Sequence, residues 1–385
     1  MSTIWSLEDG VMMDILSRLP AKCLMRCKCV CKPLQTLITS PCFLKLHLQI
    51  ANDTASENIV LEYDKNTSIK YYYSLDIDAC NEVRNLELPE PGVVVVGSCN
   101  GLLCLSDSKT SASLWNPTTK EYVKLLNAPS LCRQQLHLKI VFGFGFINTT
   151  KEYKVLRCVY YKFRISEVNV YTVGTGSWKT VDVVLLHEAQ DIWKEVPYVN
   201  GNLHWSGVCD DIRKIISFDL EEEKFQNLSW PDYDADYDHD CVTLGAFEGQ
   251  LSMFRDVMNS RVEIWSMKDY GVKESWTKLF SIAHPGVLDP YDCVVKPLTI
   301  RKKGDVFVHM NHKDLFSYCR TRNGIVEYHN VHGIPDWFLK RYSYVETLTS
   351  IASIMIDIDI VVVDETRPRR RGPSGAKHLH GKQRP

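Results

Sequence analysis

The chain carries almost no surplus charge. Its 45 Lys and Arg stand against 47 Asp and Glu, a formal net charge of -2 over 385 residues, which argues against a general nucleic-acid binder, whose domain is strongly basic. Long apolar runs are also lacking: the longest late stretch, SIASIMIDIDIVVV, is cut by Asp357 and Asp359 and is too short to cross a bilayer. The first 20 residues hold Glu8, Asp9 and Asp14 among the apolar ones, so no signal peptide with a charged start and an apolar centre can be drawn, and the expected compartment is cytoplasm, nucleus or both. Gly-x-Ser-x-Gly, Gly-x-x-x-x-Gly-Lys and His-Glu-x-x-His are absent, which leaves no nucleophile elbow, phosphate loop or zinc-protease helix to build an enzyme on.

What is present is an ordinary globular composition, 45% hydrophobic and 24% charged, with 18 Tyr and 9 Trp that lean towards β structure. The length allows two or three domains, or one large β domain with an appendage. Fourteen cysteines, mostly single and set in apolar strands, read as reduced core thiols rather than a disulfide framework. An exception to the single spacing is CLMRCKCVCK, Cys23 to Lys32. Cys23 and Cys27 share a face of a short helix, but Cys29 points elsewhere and Arg26, Lys28 and Lys32 intervene, so the run reads as small, soft packing and not as a four-thiolate zinc site.

Periodicity divides the chain. From Leu7 to about Leu48 it is helical: Val11, Ile15 and Leu19 recur every four residues and Met12 and Leu16 widen the stripe. Pro20 breaks the first helix, a second fits Ala21 to about Lys28, and a third starts at Pro33 and turns Leu34, Leu37 and Ile38 inward. From about Ile59 the pattern changes to short strands punctuated by Asn-Gly, Glu-Gly, Lys-Gly and Gly-Thr-Gly turns.

Those strands repeat. An aromatic ending one strand is followed seven positions later by another, and three later by Leu or Val: Trp115, Tyr122 and Leu125; Tyr171, Trp178 and Val181; Phe218, Phe225 and Leu228. A fourth copy keeps Trp265, Trp276 and Leu279 with four extra loop residues, a weaker one runs from Gly304 to Tyr318, and YYYSLDIDACNEVRNLEL is a candidate first unit. Each copy is a hairpin that brings two rings into one layer. Gly101, Gly201 and Gly249 mark the turn that launches the preceding strand. The first aromatics recur every 47 to 56 residues, the length of a propeller blade of about 50 residues, which favours a propeller of about six blades over a two-sheet sandwich. The fold class expected is thus α+β and multidomain, with a short helical head over residues 1–50, an all-β propeller-like repeat domain over 51–363, and a disordered basic tail over 364–385.

The head, LEDGVMMDILSRLPAKCLMRCKCVCKPLQTLITSPCFLKLHL, resembles the F-box of plant proteins, with DILSRLPAK, CVCK, LI and SPCFLKLHL in order. GSCNGLLCL, LWNPTTKEY, EYKV, VNGNLHW, EIWSMKDYGVKESWTKLFSI and YVETLTSI resemble the F-box-associated domain, kelch-like and with a flavour of S-locus F-box proteins. The resemblance implies a non-catalytic subunit of a Skp-cullin-F-box ubiquitin ligase: a three-helix module docks on a Skp-type adaptor, which links it to a cullin scaffold, while the β domain holds a protein client for ubiquitination. By the same resemblance adaptor contact falls to Leu7, Val11, Ile15, Leu16, Leu19, Pro20, Leu24, Val30, Cys31 and Leu37. The family's usual Pro and Trp are replaced here by Glu8 and Leu34, each change costing about 1 to 2 kcal/mol of binding. A short helical trio buries too little surface to stand alone, which itself points to a partner. No cofactor and no membrane are implied, and the alternatives are a binding module outside any ligase or a propeller enzyme with an incidental head.

Two other constellations bear on chemistry. PDYDADYDHD sets Asp232, Asp234, Asp236, Asp238 and Asp240 in alternation; without the glycine and the closing glutamate of a calcium loop it reads as a solvated acidic loop or a contact surface for a basic client. His309 with His312, and His329 with His332, have metal-pair spacing but no third ligand in sequence.

Overall fold

The computed structural model describes residues 9–54, 57–64, 70–129, 138–161, 164–182, 188–189, 196–209, 212–232, 241–257, 260–283, 295–310, 314–333, 340–355 and 363–364. Four helices come first: α1 (Asp9–Ser17), α2 (Ala21–Cys27), α3 (Lys32–Thr39) and α4 (Pro41–Thr54). Prolines place their boundaries. Pro20 is the N-cap of α2, Pro33 sits in the first turn of α3, and Pro41 opens α4 while holding Ser40 at ψ 141°, outside the helical region. The Ser40 hydroxyl ends one helix and starts the next, donating to the Leu37 carbonyl at 2.8 Å and accepting from the Phe43 amide at 3.3 Å. The head therefore has a fourth helix, where periodicity alone suggested three.

A six-bladed propeller follows. Blade 1 is Glu57–Asp64, Lys70–Asp76 and Val83–Asn85; blade 2 is Val94–Cys99, Leu102–Ser106, Ala112–Trp115 and Glu121–Lys124. Blade 3 is Leu138–Ile147, Glu152–Tyr161, Arg164–Thr172 and Trp178–Val181; blade 4 is Tyr198–Val199, Asn202–Cys209, Ile212–Asp219 and Lys224–Leu228. Glu188–Ala189 bridges these two into one sheet. Blade 5 is Cys241–Phe247, Gln250–Val257, Arg261–Met267 and Trp276–Ala283; blade 6 is Val295–Ile300, Val306–Met310, Asp314–Cys319 and Gly324–His329. The ring closes when Lys340–Val345 pairs antiparallel with Glu57–Glu62 and becomes the inner strand of blade 1, which builds that blade from both ends of the repeat domain.

The repeat in the sequence is the outer hairpin of each blade. Trp115 lies directly opposite Tyr122, Tyr171 opposite Trp178 and Phe218 opposite Phe225, with the last two ring pairs 5.3 and 4.9 Å apart. The fourth copy departs from this: a bulge between Ile264 and Trp265 sets Trp265 against Lys278 and leaves Trp276 opposite Met267. The glycine turns join the two innermost strands. Asn100 and Gly101 have φ 51° and 80°, Asn200 and Gly201 49° and 77°, the paired left-handed residues of a type I′ hairpin.

The core lies in the seams between blades. Alternate residues of one strand serve two neighbours: Val60 packs with Val95 and Leu103 against blade 2, while Ile59 and Leu61 pack with Phe307 and Leu315 of blade 6. Both faces of the second strand of a blade are thus buried, and Leu102–Ser106 and Val306–Met310 are buried at every position. Cysteines set in these seams are core thiols; burial pushes the Cys80 thiol up to about 12 and those of Cys104 and Cys158 higher. A two-residue strand, Val363–Asp364, pairs with Tyr122 and Glu121 on the outer edge of blade 2.

Candidate functional site

The helical head has two chemically different faces. Met12, Leu16, Ala21, Leu24, Ile38 and Phe43 form its core. Leu16 and Leu24, expected from the family resemblance at the adaptor surface, are 7% and 0% exposed; the four-residue stripe of α1 is wide enough to have an inner and an outer edge, with Leu16 on the inner one, and Leu24 is buried on α2. Val11 and Ile15, four positions apart on α1, are 45% and 49% exposed, and Val30, in the turn before α3, is 71% exposed. Pro20 is exposed, while Leu19, Cys31 and Leu37 are half-buried. Leu34, at the position of the family's tryptophan, packs against the core. Leu7 lies outside the described residues. An apolar surface of β-branched side chains on a small helical module is what a helix-in-groove partner buries.

The other face of the head meets the propeller. Asn52 of α4 donates to the Asn100 side-chain oxygen at 3.4 Å and also lines the central channel, whose wall at that end includes Glu248 and Gly249. The inner-strand turns at Asn100 and Glu248 therefore face α4, and the blade-to-blade connections enter the inner strands from the opposite side. The channel encloses about 600 Å³, walled by Phe144, Tyr198, Leu244, Pro297 and Tyr342 among others. Glu248 is the one carboxylate among its described lining residues, and it pairs with Arg320 at 3.2 Å. Paired-carboxylate chemistry requires two such groups a few ångströms apart.

Of the histidine pairs, His312 lies outside the described residues and His332 is exposed, while His309 and His329 are held by neighbouring side chains. His309 is buried with Nδ1 2.8 Å from an Arg341 guanidinium nitrogen. His329 stands between Ser317 Oγ at 2.8 Å and Arg301 at 3.1 Å, with Glu327 beyond at 3.8 Å. That outline imitates a hydrolase triad, yet Ser317 is fully buried, so no substrate reaches the hydroxyl, and the third distance exceeds a hydrogen bond. Arg301 instead ties blade 6 to blade 1 by donating to the Asp78 carbonyl at 3.0 Å. Among the described residues no group of three His, Cys, Asp or Glu side chains is arranged to hold a metal ion. Of the acidic loop, Asp232 is exposed and pairs with Lys273 at 2.7 Å; Asp234, Asp236, Asp238 and Asp240 lie outside the described residues.

Sequence reasoning missed two interior polar groups. Arg157, fully buried, donates to the Lys109 carbonyl at 3.0 Å, to Glu167 at 3.2 Å and to Asn169 at 2.7 Å. His204, also fully buried, lies between the Pro197 carbonyl at 3.1 Å and the Tyr270 hydroxyl at 2.8 Å. Their signal is a polar residue inside an otherwise apolar strand, in EYKVLRCVYY and NLHWSGVC.

The helical head and the ring of blades coincide with two family profiles: an F-box domain over residues 5–46 and an F-box associated beta propeller domain over residues 51–351. The chain belongs to the F-box proteins with an F-box-associated propeller. Relatives of this F-box protein include, from Arabidopsis thaliana, F-box protein CPR1, 28% identical over 78% of this chain and 79% of its own length, and F-box protein At3g07870, 30% identical over 86% of this chain and 89% of its own. F-box domains typically bind Skp1-type adaptors, and the pairing of an F-box with a propeller is typical of substrate receptors. Among the described residues no helix is long and apolar enough to cross a membrane.

Proposed function

We propose that this F-box protein is the client receptor of a Skp-cullin-F-box ubiquitin ligase, with the adaptor on α1 and the turn before α3, and the client on the propeller. The observation that carries the reading is the exposed set Val11, Ile15 and Val30 on a head whose other face is occupied by the propeller. In this arrangement Leu19, Pro20, Cys31 and Leu37 border the contact, and the adaptor joins the chain to a cullin scaffold. The protein contributes to rate by proximity: a client held near the charged ubiquitin carrier reacts at a raised effective concentration without a catalytic group in this chain. The channel's one described carboxylate, already paired with Arg320, supports a binding role over an enzymatic one. The loop of Asp232 to Asp240 would steer a basic client, raising the rate of encounter more than the affinity.

The test is retention of the full-length chain on an immobilised Skp-type adaptor. The wild type is retained and the double variant Val11→Asp, Ile15→Asp is not, since two carboxylates would be buried unpaired at the interface. A wild type that passes through unretained leaves the propeller as a binding module outside a ligase.

A further inference from the structure

The chain leaves the closing strand of blade 1 at Val345 and runs between the head and the propeller with a two-residue alternation. Even-numbered side chains go to the head: Glu346 pairs with Lys22 of α2, and Leu348, 4% exposed, completes the core of Met12, Leu16, Ala21, Leu24, Ile38 and Phe43. Odd-numbered ones go to blade 2. The Thr347 and Thr349 hydroxyls donate to the Asn100 carbonyl at 3.0 and 3.1 Å, and the Asn116 amide donates back to the carbonyls of the same two residues at 3.2 and 2.8 Å. Beyond them a short helix, α5 (Ile351–Ile354), is fixed at its start by Glu121, which accepts from the Ile351 and Ala352 amides at 2.6 and 3.3 Å and from the Ser350 hydroxyl at 3.1 Å. Ile351 is fully buried among residues of blades 2 and 3.

We infer that Glu346, Thr347, Leu348 and Thr349 form a positioning strap that makes the F-box competent to bind its adaptor only when the propeller ring is closed. The F-box core is incomplete without Leu348, and Leu348 is held in place by the closing strand on one side and by the hydrogen bonds to Asn100 and Asn116 on the other. A ring that has not closed leaves Lys340–Val345 unpaired, withdraws Leu348 and opens a gap beneath α1 and α2, the elements that carry Val11, Ile15 and the start of the turn to Val30. A receptor without a finished client domain then has a poor adaptor surface. Linkage makes the effect reciprocal: an adaptor that prefers the ordered F-box tightens ring closure by the same factor. The strap also sets one angle between the F-box and the channel axis, because it is bonded to both.

The strap itself stands on the geometry; its adaptor arm rests on the ligase reading. Hydrogen exchange on the full-length chain tests it without any partner. Thr347→Val, Thr349→Val removes the two hydroxyls that hold the strap to blade 2 and leaves every F-box side chain in place. Amides of α2 and α3 should then exchange at least fivefold faster, while the inner strands of blade 5 keep the wild-type rate. Leu348→Ala should have the larger effect, tenfold or more, and Leu348→Met should restore most of the protection. With a Skp-type adaptor added to the wild type, the amides of Ile59 to Leu61 and Tyr342 to Tyr344 should exchange severalfold more slowly. F-box amides that exchange at the wild-type rate in the double Val variant overturn the inference. A wild type that binds no adaptor sinks the ligase reading, and the partner-free arm still decides the strap.

Discussion

Gly101→Ala and Gly201→Ala are the same substitution at equivalent turns of two blades, and they should differ. Both glycines have left-handed φ, 80° and 77°, where an alanine costs about 1 to 2 kcal/mol, partly offset by about 0.4 to 1 kcal/mol from a stiffer unfolded chain. Gly201 has open space where a Cβ would stand, so its variant should lose about 1 kcal/mol. A Cβ on Gly101 would collide with Thr347 Oγ1 and meet Thr347 Cγ2 at 2.8 Å and the Val345 carbonyl at 2.7 Å. The last of these is backbone at the end of the ring-closing strand, and relief would shift that strand or break the Thr347 bond to Asn100. Overpacking of this kind adds about 1 to 3 kcal/mol, so Gly101→Ala should fall roughly 2 kcal/mol below Gly201→Ala. Urea unfolding of the two full-length variants, compared by midpoint with equal slopes, measures the difference directly. A Gly101→Ala protein as stable as Gly201→Ala would refute the claim that the strap is packed against this turn.

Arg157→Ala strands Glu167, Asn169 and the Lys109 carbonyl around a hole, and should cost about 3 kcal/mol in the same assay; a loss below 1 kcal/mol would mean that the buried guanidinium is not an organising contact between blades 2 and 3. Burial holds the His204 imidazole at about 4, below its ordinary 6.5, so the unfolded chain takes up the proton first and stability falls as pH drops from about 6.5 towards 4. The loss should reach on the order of 3 kcal/mol, and His204→Gln should flatten that limb of the pH profile measured by urea midpoint. On the adaptor face, Val30→Ala should weaken adaptor binding by about threefold to tenfold with no change in the unfolding midpoint, because a side chain already in water contributes little to the fold; Leu24→Ala should instead lower the midpoint, by the 2 to 5 kcal/mol typical of a core leucine.

Local sequence carried far because a propeller is built from local pairings. Trp115 and Tyr122, or Phe218 and Phe225, are seven positions apart and meet across one tight turn, so hairpin and register can be read together. The Asn-Gly turns are equally legible, since few residues tolerate two consecutive left-handed conformations. Even the shifted fourth copy announces itself through four added loop residues. In the head, proline marks every helix start after the first, but the helical stripe of α1 could not show that Val11 and Ile15 face outward while Leu16 faces in, because all three are apolar and the stripe is broad.

The amino-acid sequence by itself thus determined the helical head, the repeating hairpins and the turns that space them, all set by interactions within a few residues. Tertiary structure decided which strand closes the ring, that Leu348 belongs to the core of a domain some 300 positions earlier, and that Arg157 and His204 are buried with partners. Lys22 meets Glu346 across 324 positions, and Asn116 meets Thr347 across 231. No local pattern encodes such contacts. They exist because a closed ring brings its last strand back beside its first, and the chain that leaves that strand must cross the head to reach blade 2.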